Sequence, residues 1–151
     1  MRFLRFALIM LASAAPAAPL AARETVGTFA TWAAFCDEPR KCFAISEPAE
    51  RTNHPSLSVA IHGSTLSVQA HLGRQARAAK LQIGDASFAL TVSGSNAEAD
   101  PRTSRRIVAA LRNGESATLI GTSDRGGRFR HHYLLAGAPS AIDAAAVASL
   151  R

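Results

Sequence analysis

The sequence predicts a mainly β protein: an antiparallel β-sandwich with one inserted helix and a short C-terminal helix. Three observations lead there. Apolar residues alternate with polar or small ones over several short, closely spaced runs, the two-residue period of strands with one buried face. Helices do not alternate with those strands, as a parallel α/β sheet would require. The two cysteines, Cys36 and Cys42, flank a turn and so clamp a hairpin in one register.

Residues 23–27 read as a leader into a first strand, Thr28–Cys36, which holds the lone tryptophan, Trp32. Asp37-Glu38-Pro39-Arg40-Lys41 is turn chemistry, with a proline that presets φ. Cys42–Ser46 returns as the second strand. Glu47–Pro55 is polar, contains two prolines and is expected as a loop. Leu57, Val59 and Ile61 then alternate with Ser58, Ala60 and His62. After Gly63-Ser64, Leu66, Val68, Ala70 and Leu72 alternate again, so the two runs form a second hairpin.

Gly73–Ala79 is a basic connector carrying Arg74 and Arg77. Leu81 and Ile83, the Gly84-Asp85 turn, and Phe88, Leu90 and Val92 make a third hairpin. Gly94–Asp100 is expected as a loop. Asp100 is a favoured N-cap, and Pro101 suits the first helical position. Ile107, Ala110 and Leu111 share a helical face, and Asn113-Gly114 ends it. Ser116–Ser123 is a strand, Asp124-Arg125-Gly126-Gly127 a turn, and Arg128–Ala136 the last strand, with Phe129, His131, Tyr133 and Leu135 on one face. From Pro139 the alanine-rich end forms a short helix through Ile142, Ala146 and Leu150. That makes about eight strands.

Composition sets the frame. At 151 residues the chain has room for one domain. Aromatics make up only 6%, so Trp32, Phe35, Phe43, Phe88, Phe129 and Tyr133 are expected to carry much of the core. Met1–Arg5 is a basic n-region, and Phe6–Ala15 is an apolar run too short for a ~30 Å bilayer core. Small residues and prolines follow. Residues 1–22 read as a secretory signal peptide, cleaved after Ala22, or after Ala17 as second choice, and 23–151 as one β-sandwich domain. The full chain has 17 basic and 11 acidic residues, hence +6; without Arg2 and Arg5 it has 15 against 11, hence +4. That modest excess attracts anionic surfaces only weakly. Export places the protein in the periplasm or outside the cell, in an oxidising compartment where Cys36 and Cys42 pair. A redox pair would favour two intervening residues rather than five, and a metal site would need further ligands nearby.

Several stretches together resemble a known family. They are the signal segment, Thr31-Trp32-Ala33-Ala34-Phe35-Cys36, Cys42-Phe43-Ala44-Ile45, Leu81-Gln82-Ile83-Gly84-Asp85 with Phe88-Ala89-Leu90, and Tyr133-Leu134-Leu135-Ala136-Gly137-Ala138 before the alanine-rich end. The chain resembles the invasion-associated locus B family, small exported proteins of alphaproteobacteria, over about residues 28–150. The resemblance implies an immunoglobulin-like β-sandwich, a periplasmic or surface location and no catalysis. This chain departs from typical members in being short, in having one cysteine pair, and in its wealth of arginine and alanine. The family supplies no catalytic residues to carry over.

Chemistry-bearing residues are few. His131 and His132 are adjacent on a strand and point to opposite faces, so one ion cannot bind both. His62 and His71 lie on one hairpin but out of direct register. No glycine-x-serine-x-glycine elbow occurs, and Glu47 with His54 is the one acid–base pairing worth naming. No metal, cofactor, nucleic-acid partner or enzymatic activity is expected. The densest basic patch is Arg125 to His132, which Arg74, Arg77 and Lys80 extend. Arg125, Arg128 and Arg130 are the candidate partner-binding residues, able to meet phosphate or carboxylate groups of an envelope polymer or another protein. The plainer reading is a charged edge strand protected from aggregation. Trp32 is expected in the core, packed on the disulfide. The expected role is thus a binding or accessory protein of the envelope. The alternatives are a periplasmic inhibitor or ligand-binding module docking through Arg125–Arg130, and a hydrolase.

Overall fold

The computed structural model describes residues 23–49 and 53–151; the signal-peptide reading of residues 1–22 lies outside the described residues. Ten strands and two helices follow in order: β1 Glu24–Phe29, β2 Trp32–Glu38, β3 Lys41–Ser46, β4 Ser56–His62, β5 Thr65–His71, β6 Ala76–Ile83, β7 Ala86–Ser93, β8 Asn96–Glu98, α1 Pro101–Asn113, β9 Ser116–Ser123, β10 Arg128–Leu134 and α2 Ala138–Ala148. All pairings are antiparallel, and the strands form one sheet in the order β1-β2-β3-β4-β5-β8-β7-β6-β9-β10. The expected mainly β, sandwich-like class is therefore what the chain adopts. Each main strand buries one face, and those faces meet in a single core with both helices.

Three expectations need correction at the start of the sheet. The stretch Thr28–Cys36 is not one strand. Ala30 takes a positive φ of 51°, the chain reverses at Ala30-Thr31, and the supposed leader becomes strand β1, with Phe29 opposite Trp32. Tertiary pairing overrides local pattern here, since nothing in an alanine-threonine pair signals a tight turn. The hairpin β2–β3 is as expected: Cys36 lies directly opposite Cys42 and the two are joined, with Cα atoms 4.0 Å apart. Trp32 is fully buried, but it lies opposite Ser46, four residues and ~13 Å of strand from Cys36, rather than on the disulfide. Phe35 and Phe43 stack on each other with ring centres 5.2 Å apart on the other, half-exposed face, so they are not core residues.

The expected loop Gly94–Asp100 contains β8. Its three residues pair with β5 on one side and β7 on the other, joining the β1–β5 meander to the β7-β6-β9-β10 half. His62 and His71 face Thr65 and Ser56, out of register with each other as expected.

Helix α1 starts as its sequence dictates. Asp100 accepts from the backbone N–H groups of Arg102 and Thr103 at 2.9 and 3.0 Å. Hydrogen bonds from the Thr103 side chain first, then from the backbone of Thr103 and Arg102, hold its carboxyl below the usual carboxylate range. Ser104, Ile107, Val108 and Leu111 form the buried face. Ser104 donates to the Ala99 carbonyl and accepts from Val68 N–H, each at 3.1 Å, which moors α1 to β5. Gly114 ends the helix with φ −91°, so close approach rather than left-handed backbone selects glycine: a Cβ there would lie 2.9 Å from Ile83. In α2 the buried residues are Ala138, Ala141, Ile142 and Ala145. Leu150, expected on that face, is exposed, because the helix has ended before it.

Candidate functional site

Strand β10 ends the strand order and, among the described residues, pairs only with β9, Phe129 facing Gly121 and Arg130 facing Ile120. Period-two alternation sorts its side chains. Phe129, His131 and Tyr133 are buried; Arg128, Arg130 and His132 are exposed. The partner strands extend that outer face, for Ile120 also faces Lys80 on β6 and Thr118 faces both His132 and Gln82. Lys80 and Arg130 thus flank the half-buried Ile120, two strand spacings or ~10 Å apart. The two arginines lie on one face with Lys80, and Arg125 is exposed in the turn where β10 begins.

The other basic residues divide. Arg77 is exposed and reaches that turn, its Nη2 lying 3.9 Å from where a Cβ on Gly126 would be. Arg74, also exposed, instead lays its guanidinium over the buried Phe129, 4.9 Å from the ring centre. Among the described residues the ion pairs join Arg23 to Asp37 and Arg112 to Asp143. Arg77, Lys80, Arg125, Arg128 and Arg130 therefore present positive charge with no acidic side chain bonded to it. Asp124, the nearest acid in sequence, instead accepts from the backbone N–H of Arg125 at 2.9 Å.

The histidines part as alternation requires. His131 is buried, its Nε2 3.2 Å from the carbonyl of Leu72, while His132 is exposed with Nδ1 3.3 Å from Thr118 Oγ1. Among the described residues no three His, Cys, Asp or Glu side chains gather as metal ligands. Glu47 lines an open cleft of about 590 Å³ with Thr28, Trp32, Pro48 and Leu134. His54 does not line that cleft; its carbonyl lies 3.2 Å from Nδ1 of His71.

Backbone direction at β10 is a feature that side-chain patterning missed. Leu135 N–H donates to Glu115 and Gly127 O accepts from Ser123, so odd-numbered residues turn their backbone groups toward β9. Leu134 turns the other way, its carbonyl accepting from Trp32 Nε1 at 2.9 Å and Thr31 Oγ1 at 3.1 Å. In an extended strand the direction alternates residue by residue. The N–H and C=O groups of Arg128, Arg130 and His132 consequently face outward, and none has a partner among the described residues. The arginines at alternate positions were the available signal, since charge commonly marks an edge strand.

These features define a class: a disulfide-clamped, sandwich-like β protein with an open, basic edge strand. No family model matches the chain, and no curated protein matches it. Among solved structures the chain is similar to invasion associated protein B from Bartonella henselae, with a TM-score of 0.63 and 19% identity over 84% of this chain and 99% of that one. At that identity the two share a fold. Among the described residues no helix is long and apolar enough to cross a membrane.

Proposed function

We propose that this protein is an exported, non-enzymatic accessory protein of the cell envelope, of the invasion-associated locus B type, that docks onto an anionic partner through β10 and the turn before it. The observation that carries the reading is the exposed row of Arg128 and Arg130, with Lys80 beside it and Arg125 at its end, none of them ion-paired among the described residues. Arginine offers a planar fork of donors that suits carboxylate or phosphate. Export is supported by the basic and apolar N-terminal segment and by the Cys36–Cys42 disulfide, which persists in oxidising compartments. The shared fold supports the family.

Two measurements test this. The protein recovered from cells should lie in the periplasmic or secreted fraction, begin near Arg23, and yield the Cys36 and Cys42 peptides joined. Captured partners from envelope extract should fall away with an Arg125→Ala/Arg128→Ala/Arg130→Ala variant. Equal capture by both proteins rejects docking through this surface.

A further inference from the structure

Resting on that docking reading, we infer that β10 receives its partner by strand addition: an extended peptide with acidic residues at every second position adds an eleventh strand to the free edge of the sheet. Three observations carry it. The outward backbone groups of Arg128, Arg130 and His132 form a ready ladder of three N–H donors and three C=O acceptors without partners among the described residues. The ladder has a defined end, because the next outward carbonyl, that of Leu134, is already bonded to Trp32 and Thr31. The free edge therefore accepts a short strand, about five residues long. The side chains flanking it are sorted: Arg128, Arg130 and His132 project on the outer face, while Phe129, His131 and Tyr133 fill the core.

Those two faces specify the occupant. Side chains of an added strand alternate, so one set lies beside Arg128 and Arg130 and the other beside the apolar face. Glutamate or aspartate on the outer set meets positive charge that pairs with no acidic side chain among the described residues. Small or apolar residues on the inner set continue the sheet's buried side. Main-chain bonds supply affinity and alternate side chains supply selectivity, as in other strand-addition interfaces. A second copy of this chain fits poorly. Antiparallel β10–β10 pairing centred on Arg130 would set Arg130 directly against its own copy, placing like charges in register. Edge arginines thus discourage self-pairing while leaving the ladder open to an acidic strand.

The test uses the purified, oxidised protein and an eight-residue capped peptide alternating glutamate and valine. A second peptide carries N-methyl groups on the amides of one edge, which removes strand pairing and keeps every charge. A third replaces glutamate by lysine. Strand addition predicts that the first peptide binds, and that N-methylation weakens it at least about tenfold, as loss of two or three backbone hydrogen bonds requires. An Arg128→Glu/Arg130→Glu variant should prefer the lysine peptide, and circular dichroism of that variant verifies its fold. Equal binding of the methylated peptide overturns the inference, as does tighter binding to inorganic polyphosphate or to phosphatidylglycerol vesicles. A stable dimer that excludes the peptide overturns it too. If the methylated peptide binds equally while the arginine-to-alanine variant still loses its envelope partner, strand addition fails and docking through the basic surface stands.

Discussion

The indole Nε1 of Trp32 donates to the carbonyl of Leu134 at 2.9 Å, tying the first residue of β2 to the last residue of β10, 102 positions away. In the strand order these two strands lie near opposite ends of the sheet, so the bond helps the sheet fold over on itself. Thr31 adds a hydroxyl donor to the same carbonyl and to that of Ala136.

Trp32→Phe should therefore cost about 2–3 kcal/mol, from lost buried volume plus one hydrogen bond. Thr31→Ala, exposed and with Trp32 still bonded to Leu134, should cost under about 1 kcal/mol. Urea unfolding of both variants measures the ratio. Equal costs would mean that the indole bond is not what closes the sheet.

Phe129 occupies the space of a missing side chain at Gly121, since a Cβ there would lie 2.1 Å from the ring. The two residues face each other across β9 and β10. Gly121→Ala should destabilise by about 1–3 kcal/mol through overpacking. Combining it with Phe129→Leu should cost less than the sum of the single changes, because the smaller side chain vacates the contested space. Additive costs in denaturant titrations would contradict this packing.

Tyr133 is fully buried, and its hydroxyl has no hydrogen-bond partner among the described residues. Burial alone pushes the phenol above its ordinary pKa of 10.0. Below pH ~10 the folded and unfolded chains both hold the proton, so the contribution to stability is constant there. Above it the unfolded chain releases the proton and the folded chain retains it, so stability falls as pH rises. Tyr133→Phe should remove this alkaline loss and raise stability at neutral pH by about 1 kcal/mol, since an unpaired buried hydroxyl disappears. Thermal melts at pH 7 and 10.5 check both signs. A less stable phenylalanine variant would show that the hydroxyl is paired.

The Cys36–Cys42 bond closes a ring of seven residues, which the chain-entropy account credits with about 2 kcal/mol. Cys36→Ala/Cys42→Ala should lower stability by about that much and leave the β-rich circular dichroism intact, because Trp32, Ala34 and Ala44 keep the hairpin face buried. Loss of the fold on reduction would mean that the core alone is insufficient.

Gly137 has φ 89° and sits where a Cβ would approach the Phe29 carbonyl to 1.9 Å. Gly137→Ala faces both left-handed strain and a backbone clash, so it should destabilise more than Gly84→Ala, where φ is +55° but nothing lies within 4 Å. Parallel melts of the two variants compare the effects.

Much of the architecture was legible because its causes are local. Alternation sorted inner from outer residues in β4, β5, β7 and β10, and an N-cap with proline announced α1. The spacing of the cysteines placed them opposite each other. The grouping of Arg128 and Arg130 on one exposed face also followed from their separation by one residue.

By itself, then, the sequence determined which faces of β4, β5, β7 and β10 are buried, where α1 begins and which cysteines pair, since each depends on neighbours a few positions apart. Only the tertiary structure decided that the first strand breaks at Ala30, that Asn96–Glu98 bridges the two halves, and that Trp32 meets Leu134. It also decided that the backbone of Arg128, Arg130 and His132 faces an open edge. These depend on hydrogen bonds between segments distant in sequence, and backbone groups are the same in every residue but proline, so residue identity carries no record of where they point.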